Sequence, residues 1–253
     1  MNYRLTIQYD GTEFAGWQVQ ARGERTVQGE LERVLSLLDG RAVAVAGAGR
    51  TDAGVHAEAQ VASFRLERDF TPEKLRDAIN GNLASDLRVI EARVAPDDFH
   101  ARFSARGKTY VYRIFNERFG STFLSRYTHQ EGRPLDLARM RECARLFVGT
   151  HDWTAFSAAQ SDVRDRVRTV TRLEVTERQS ERGRGRLVVI TASADGFLRF
   201  MVRSIAGTLL AAGRGEIGED TIIRALSTGD RELAAPTAPA RGLTLVEVRY
   251  DEP

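Results

Sequence analysis

The chain has 253 residues, of which 42% are hydrophobic and 28% are charged, and its formal net charge is +2. The hydrophobic fraction is sufficient for a folded core, and the small net charge shows that the chain as a whole is not a polycation. We find no leading apolar run and no apolar stretch of about eighteen residues, so we expect neither a secretory signal nor a membrane span. The single cysteine, Cys143, excludes an internal disulfide and a cysteine-based zinc site, and it fits a reducing cytoplasm.

The first elements follow from hydrophobic periodicity. Residues 3–9 alternate between apolar and polar side chains, which is typical of a half-buried strand. An aromatic loop follows at 14–18. Thr26 can cap a helix that ends at Asp39-Gly40, with apolar side chains spaced to form one face.

The remaining elements of the first half complete a recognisable order. We predict strands at 41–46, 58–65 and 87–94, and a helix that begins at Thr71-Pro72. The order is strand, helix, strand, strand, helix, strand, which is the ferredoxin-like unit. Residues 95–107 are irregular and form the crossing into the second half.

The second half repeats this order. We predict a strand at 108–116, a helix at 136–147, strands at about 167–176 and 186–194 joined by a turn over 181–185, a helix at 198–212, a short extra helix near 220–227 and a strand at 243–250. The predicted fold is therefore α+β, with two βαββαβ halves at 1–104 and 105–253. We expect them to form one broad, mostly antiparallel sheet with helices packed on one face.

A run of small residues at 47–57 contains Asp52. Six of its eleven residues are glycine or alanine, which allow a close approach of the backbone to a ligand or a neighbouring segment. This composition favours a tight, partly buried loop that presents one carboxylate. A hairpin connection with an exposed aspartate is the alternative.

Metal chemistry has a weak basis in the sequence. The chain has four histidines but neither an HExxH motif nor a cysteine–histidine spacing, and it has no phosphate-binding glycine loop. The pattern favours chemistry that one carboxylate performs without a cofactor or a metal. A metal-dependent RNA phosphoesterase that uses Asp10, Asp52 and His56 remains an alternative.

Two further residue types suggest roles in a site. Arg203 lies in a very apolar predicted helix, where a buried guanidinium needs an acidic partner, and Asp52 is the candidate. The alternative is an exposed arginine on a surface helix. Tyr110 and Tyr112 lie on one face of a predicted strand and are candidates for stacking on RNA bases, with plain core packing as the alternative.

Arginine accounts for 35 of the 37 basic residues, because only Lys74 and Lys108 are lysine. Arginine suits RNA, although GC-rich coding DNA is the larger cause of such a bias. Local clusters are more informative, and they comprise Arg164, Arg166, Arg168 and Arg172 in one group and Arg182, Arg184 and Arg186 in another. An RNA-binding module without catalytic activity is a second alternative.

Six motifs in order along the chain resemble the bacterial tRNA pseudouridine synthase A family. The segments are Tyr9–Thr12 with Gly16–Gln20, Gly49–Ala57, Asp97–Ser104, Tyr110–Arg113, Phe197–Arg203 and Ala238–Leu243. Each motif alone is unspecific, but their order and spacing together are specific.

The resemblance implies an enzyme that converts uridine to pseudouridine at positions 38, 39 and 40 of the tRNA anticodon stem-loop. It implies a homodimer whose clefts use both subunits, without a cofactor. The family's catalytic aspartate falls on Asp52, its active-site tyrosine on Tyr110, its aspartate-paired arginine on Arg203 and its motif arginine on Arg50. Asp52 would act either as a nucleophile or as a base at the sugar.

Overall fold

The computed structural model describes residues 1–160, 163–179 and 185–251. It divides into two compact units, Met1–Arg106 with Leu245–Pro253, and Gly107–Thr244. The predicted turn at 181–185 falls largely outside the described residues, as do Arg182 and Arg184. The predicted boundary between the halves at residue 104 stays a prediction. The two units are set apart by their compactness, whereas the predicted halves are set apart by a repeated order of elements.

The first unit contains the predicted ferredoxin-like order. Its elements are β1 (Asn2–Tyr9), α1 (Val27–Asp39), β2 (Ala46–Gly47), β3 (His56–Arg65), α2 (Pro72–Asn80) and β4 (Leu87–Val94). The last strand, β10 (Leu243–Tyr250), contributes residues from Leu245 onward to this unit. The sheet order is β4-β1-β3-β10, β1 pairs antiparallel with both β3 and β4, and β2 pairs antiparallel with β3.

The predicted helix signals of this unit are confirmed. The Thr26 side chain accepts a hydrogen bond from the Gly29 N–H, and Gly40 ends α1 in the left-handed conformation with φ 78°. Thr71 caps α2, which has Pro72 in its first turn. The apolar faces of both helices are fully buried in the core of the first unit. They include Leu31, Leu35, Leu75 and Ile79.

The predicted strand at 41–46 was wrong over most of its length, because only Ala46–Gly47 forms a strand. The physical reason is the bonding of the preceding backbone. The Val43 N–H donates to Ser36 Oγ at 3.0 Å, and the Val45 N–H donates to Glu32 Oε1 at 3.0 Å. Side chains of α1 therefore satisfy the amides that a neighbouring strand would otherwise bind.

The second unit contains the other predicted elements and two additional short strands. They are β5 (Ala105–Asn116), β6 (His129–Glu131), α3 (Leu137–Arg145), β7 (Gly149–Asp152), β8 (Val167–Gln179), β9 (Arg186–Ala194), α4 (Met201–Gly213) and α5 (Glu219–Thr228). The strand order is β5-β9-β8-β7, with antiparallel neighbours, and β6 pairs parallel with β5. The predicted α+β class is confirmed.

The helix predicted at 198–212 begins later than expected. Phe200 adopts φ 68° at the N-terminal cap, so α4 starts at Met201. Arg199 therefore precedes the helix, whereas Arg203 lies within it. Cys143 is buried in α3, and burial raises the pKa of its thiol.

Candidate functional site

Asp52 lies in the loop between β2 and β3, in the first unit. Its side chain is half-buried, between the buried Thr51 and the exposed Ala53. The Asp52 carbonyl accepts a hydrogen bond from the Val55 N–H at 3.1 Å, and Gly54 at φ 77° completes this tight turn. The loop is thus partly buried and turns sharply at the aspartate, as the small residues predicted.

A hydrogen bond between two buried hydroxyl groups joins the Asp52 loop to the first strand. The hydroxyls of Tyr9 on β1 and Thr51 lie 2.8 Å apart. Burial raises the pKa of Tyr9 to about 12, although hydrogen bonds from Thr51 and Gln60 act in the opposite direction. Tyr9 is therefore neutral at physiological pH and holds the residue that immediately precedes Asp52.

A fully buried glutamine fixes the beginning of the loop. The Gln60 side chain on β3 donates from Nε2 to the Gly49 carbonyl at 2.9 Å, and its Oε1 accepts from the Val61 N–H at 3.2 Å. The Ala48 N–H donates to the Val61 carbonyl at 2.8 Å. Together these bonds tie the approach to Asp52 to the rigid strand that follows it.

The aromatic loop predicted at 14–18 packs against the Asp52 loop. The Trp17 N–H donates to the Thr51 carbonyl at 3.0 Å, and the indole is 2% exposed. The indole fills the space beside Gly47, where an added Cβ would lie 2.3 Å from the ring. Glycine is therefore required at 47 by close packing against Trp17.

A cation anchors the aromatic loop in turn. The Arg25 guanidinium lies 4.2 Å from the centroid of the Phe14 ring, which packs edge-on against Tyr9. Arg25 also forms two hydrogen bonds with the Asp86 carboxylate, at 2.6 and 2.9 Å. The hydrogen bond from Arg25 lowers the pKa of Asp86 below its usual range, so this pair is ionised at neutral pH.

Asp10 and His56 lie close together but are occupied by structural contacts. Nδ1 of His56 accepts the Gly11 N–H at 3.0 Å and lies 3.2 Å from Asp10 Oδ1. Asp10 Oδ1 also accepts hydrogen bonds from the Thr12 N–H and hydroxyl. Within residues 1–160, 163–179 and 185–251, no group of three or more His, Cys, Asp or Glu side chains is arranged to hold a metal ion.

The two candidate tyrosines lie in β5 of the second unit. Tyr110 is 6% exposed and packs edge-on against Phe197, with ring centroids 5.3 Å apart. Tyr112 is fully buried and donates to the Pro239 carbonyl at 2.9 Å, so it belongs to the core and is not available for stacking on a base. Burial raises the pKa of Tyr112, and the positive charges of Arg203 and Arg241 oppose this.

Arg203 is held in place within the second unit. Its side chain is half-buried, and Nε donates to the Ala238 carbonyl at 2.8 Å, while the Ala238 N–H donates to the Arg203 carbonyl at 3.0 Å. The guanidinium lies 5.2 Å from the Phe200 ring centroid. The predicted alternative of an exposed surface arginine is therefore wrong, whereas its pairing with Asp52 stays a prediction.

The other arginines considered for RNA binding include Arg50 and members of the two predicted clusters. Arg50 is exposed beside the Asp52 loop. In the first predicted cluster, Arg166 donates to the Ala159 carbonyl at 3.1 Å and Arg172 forms a 2.6 Å ion pair with Glu174. In the second, Arg186 donates to the Leu135 carbonyl at 2.6 Å. Arg166, Arg172 and Arg186 therefore each form polar contacts within the protein.

Comparison with known proteins identifies the family. A family model described as tRNA pseudouridine synthase matches residues 5–104 and 143–251. The chain belongs to the tRNA pseudouridine synthase family. Members of this family isomerise uridine to pseudouridine in tRNA, so the predicted family and enzyme class are confirmed. The matched segments include Arg50, Asp52 and Arg203, whereas Tyr110 lies between them.

Similar proteins in this family cover the whole chain. A tRNA pseudouridine synthase A from Geobacillus sp. is 42% identical over 98% of both chains. Another, from Streptococcus equi, is 42% identical over 99% of both, and one from Agrobacterium fabrum is 41% identical over 99% of this chain and 92% of its own. A chain of a Cbf5-Nop10-Gar1 complex aligns with 96% of this chain and 49% of its own, at 15% identity and a TM-score of 0.36, which is too weak to support a conclusion.

Three residues that hold the Asp52 loop were not predicted as site residues from the sequence. Tyr9 and Trp17 were placed in a strand and an aromatic loop, without a role beneath Asp52. Gln60 gave one usable signal, since an amide in the middle of an apolar strand must find internal hydrogen bonds when it is buried. In the sequence, Tyr9 and Trp17 cannot be distinguished from residues that only pack in the core.

Tyr9→Phe tests whether the hydroxyl pair positions Asp52. We expect a loss of about 1 kcal/mol in the free energy of unfolding, because one buried hydrogen bond is removed. We also expect a several-fold fall in kcat for pseudouridine formation with KM for tRNA unchanged, because the Thr51–Asp52 peptide loses its support.

Tyr3→Phe is the matched control. Tyr3 lies on the same strand, is fully buried, and exchanges 2.9 Å hydrogen bonds with the Phe70 backbone. This variant should lose similar stability but keep wild-type kcat. Equal kcat values in the two variants would show that the Tyr9 hydroxyl contributes to stability alone.

Proposed function

We propose that this chain converts uridine to pseudouridine at positions 38, 39 and 40 of the tRNA anticodon stem-loop, in the cytoplasm and without a cofactor. The observation that carries the proposal is Asp52 on a loop held by Tyr9, Gln60 and Trp17, within a segment that the family model matches. No helix in the described ranges is long and apolar enough to cross a bilayer.

The reaction is a rearrangement within one nucleotide. The bond between uracil N1 and ribose C1′ breaks, the base turns, and a bond forms between C5 and C1′. The proton on C5 is lost and N1 gains one, so no electrons enter or leave overall. Proton transfer and one nucleophile or base are sufficient for this chemistry.

Asp52 supplies the carboxylate in this proposal. It acts in its ionised form, either as a nucleophile toward the nucleotide or as a base at the sugar. A positioned carboxylate reacts far faster than a free one, because its orientation is already fixed before the substrate binds. The hydrogen bonds to Thr51 and Gly49 on either side of Arg50 support such preorganisation.

The other site residues bind and orient the target nucleotide. Base flipping takes the uracil out of the stack at a cost of a few kcal/mol. Tyr110 stacks on the flipped base near Asp52. Arg203 favours the ionised form of Asp52 and directs its carboxylate. Arg50 holds a phosphate or fills the gap that the flipped base leaves.

Selection of tRNA depends on phosphate contacts, because a neutral uracil offers little for recognition. We further propose that the chain acts as a homodimer in which both subunits line each tRNA cleft. Sedimentation of the full chain tests this directly, since a monomer would have the 28.2 kDa mass of one chain.

Unmodified tRNA transcripts with uridine at positions 38–40 test the proposed activity. The purified protein is incubated with them in EDTA, and pseudouridine is mapped by carbodiimide-blocked primer extension. We expect stops at these positions with the wild type and none with Asp52→Asn, while the mutant still binds tRNA. Substitution by the amide keeps the shape of the side chain but removes its charge and basicity.

Other outcomes would contradict the proposal in distinct ways. Intact RNA without stops would favour an RNA-binding module or another RNA target. Cleavage that appears only when a divalent metal is restored would favour a phosphoesterase. Equal turnover by Asp52→Asn would exclude the carboxylate mechanism.

Arg203→Ala tests the proposed support of Asp52. We expect kcat to fall on the order of 10- to 100-fold, because a charge-assisted interaction contributes about 1.5–3 kcal/mol. We also expect reduced stability, because Nε of Arg203 no longer binds the Ala238 carbonyl.

Arg199→Ala is the matched control for this variant. Arg199 is exposed, and its guanidinium lies 4.9 Å from the same Phe200 ring. Wild-type kcat in Arg203→Ala, or an equal loss in both variants, would show that Arg203 has no specific effect on the reaction.

A further inference from the structure

An exposed aromatic residue marks the turn between β4 and β5. We call residues 97–104 the Phe103 turn. The Phe103 side chain is 75% exposed, although a phenylalanine gains from burial. The turn belongs to one of the motifs that carry the family resemblance, but none of its residues has a role in the proposed reaction.

The backbone of the Phe103 turn is firmly held. Ala101 is fully buried, its N–H donates to Ser63 Oγ at 3.0 Å, and its carbonyl accepts from the Tyr250 hydroxyl at 2.7 Å. The His100 carbonyl accepts from the Ser104 N–H at 2.9 Å. The outward position of Phe103 is therefore built into the fold and is not the result of a loose loop.

Cationic and aromatic groups accompany the exposed ring. The His100 ring lies 4.4 Å from the Phe103 ring, centroid to centroid, and the Arg102 guanidinium lies 5.6 Å from it. Two nearby arginines have acidic partners, since Arg65 pairs with Asp97 at 3.5 Å and Arg106 with Asp251 at 2.7 Å. Arg102 is exposed with its guanidinium over the ring, so the end of the turn around Phe103 presents a positive charge next to an aromatic surface, while the exposed Asp98 lies at the other end.

We propose that Phe103 and Arg102 form a second tRNA contact, in which Phe103 stacks on an unpaired base and Arg102 binds a neighbouring phosphate. An exposed aromatic ring with an adjacent arginine is the combination that binds unpaired bases in RNA. The inference rests on the proposed function, which makes tRNA the partner. It adds a recognition element that lies outside the site around Asp52.

The position of the turn places this contact away from the target nucleotide. Ala101 is bonded to Ser63, whereas the Asp52 loop leads into the opposite end of the same strand at His56. Ser63 lies seven positions after His56 on the strand, which corresponds to roughly 23 Å. Phe103 therefore contacts a different part of the tRNA from the uridine that reacts.

The direct test is tRNA binding by full-length Phe103 variants, measured as Kd at fixed salt. We expect Phe103→Leu to raise Kd roughly 5- to 100-fold, because leucine keeps apolar area but removes the stacking face. Phe103→Trp should bind tRNA with about the wild-type Kd, because tryptophan keeps a stacking face. Leu37→Ala, at another exposed apolar residue of the first unit, should bind as wild type. Saturating kcat should not change in any of the three.

A salt titration tests the role of Arg102. Arg102→Gln should reduce the slope of log Kd against log salt by about one, because one phosphate contact is lost. A photoreactive phenylalanine analogue at position 103 should crosslink to a nucleotide outside positions 38–40.

Several results would overturn this inference. Phe103→Leu with the Kd of Leu37→Ala would exclude stacking, and a crosslink to positions 38–40 would exclude a separate contact. A change in sedimentation caused by Phe103→Leu without RNA would assign the turn to contact between copies of the chain. Because Kd is measured independently of turnover, absence of pseudouridine with the wild type would refute the proposed function, whereas the Kd values of Phe103→Leu and Leu37→Ala decide this contact.

Discussion

The hydrogen bond between the buried hydroxyls of Tyr9 and Thr51 is the constraint on which the site depends. It joins the first strand of the sheet to the residue before Asp52. The Trp17 N–H donates to the Thr51 carbonyl. The Phe14 ring packs edge-on against Tyr9, and the Arg25 guanidinium lies over the Phe14 ring. In the proposed reaction, the Asp52 carboxylate obtains its orientation from this scaffold.

Close packing explains why the Asp52 loop has its composition. Gly47 meets the Trp17 indole, and Gly54 adopts the positive φ that the turn after Asp52 requires. Larger residues at these positions would separate the aromatic loop from the aspartate loop. The small residues of this segment therefore allow the close packing that positions Asp52, in addition to any close contact with a ligand.

Much of the fold could be predicted from the sequence, where local signals agree with tertiary contacts. The strand at 87–94, the cap at Thr26 and the closing strand at 243–250 follow from periodicity and capping chemistry. The short strands β6 and β7 have three and four residues, too few for an alternating pattern to appear. The left-handed Phe200, which delays α4, and the side-chain bonds that replace a strand at Val43 and Val45 depend on contacts that no local pattern encodes. The same limit applies to the site, because Asp52 is visible as a residue type whereas Tyr9 and Gln60 are not.

Native-state hydrogen exchange of the wild-type protein tests the claim that the Asp52 loop is preorganised. The informative amides are those of Trp17, Ala48 and Val55, which bind the carbonyls of Thr51, Val61 and Asp52 respectively. The amide of Gly23 lies in an exposed turn and donates a long, 3.3 Å hydrogen bond to the Gln20 carbonyl, so it provides the fast reference. We expect the three loop amides to exchange as slowly as the core of the first unit, through global unfolding. Exchange close to the rate of Gly23 would show that the loop opens locally and that Asp52 is positioned only when tRNA binds.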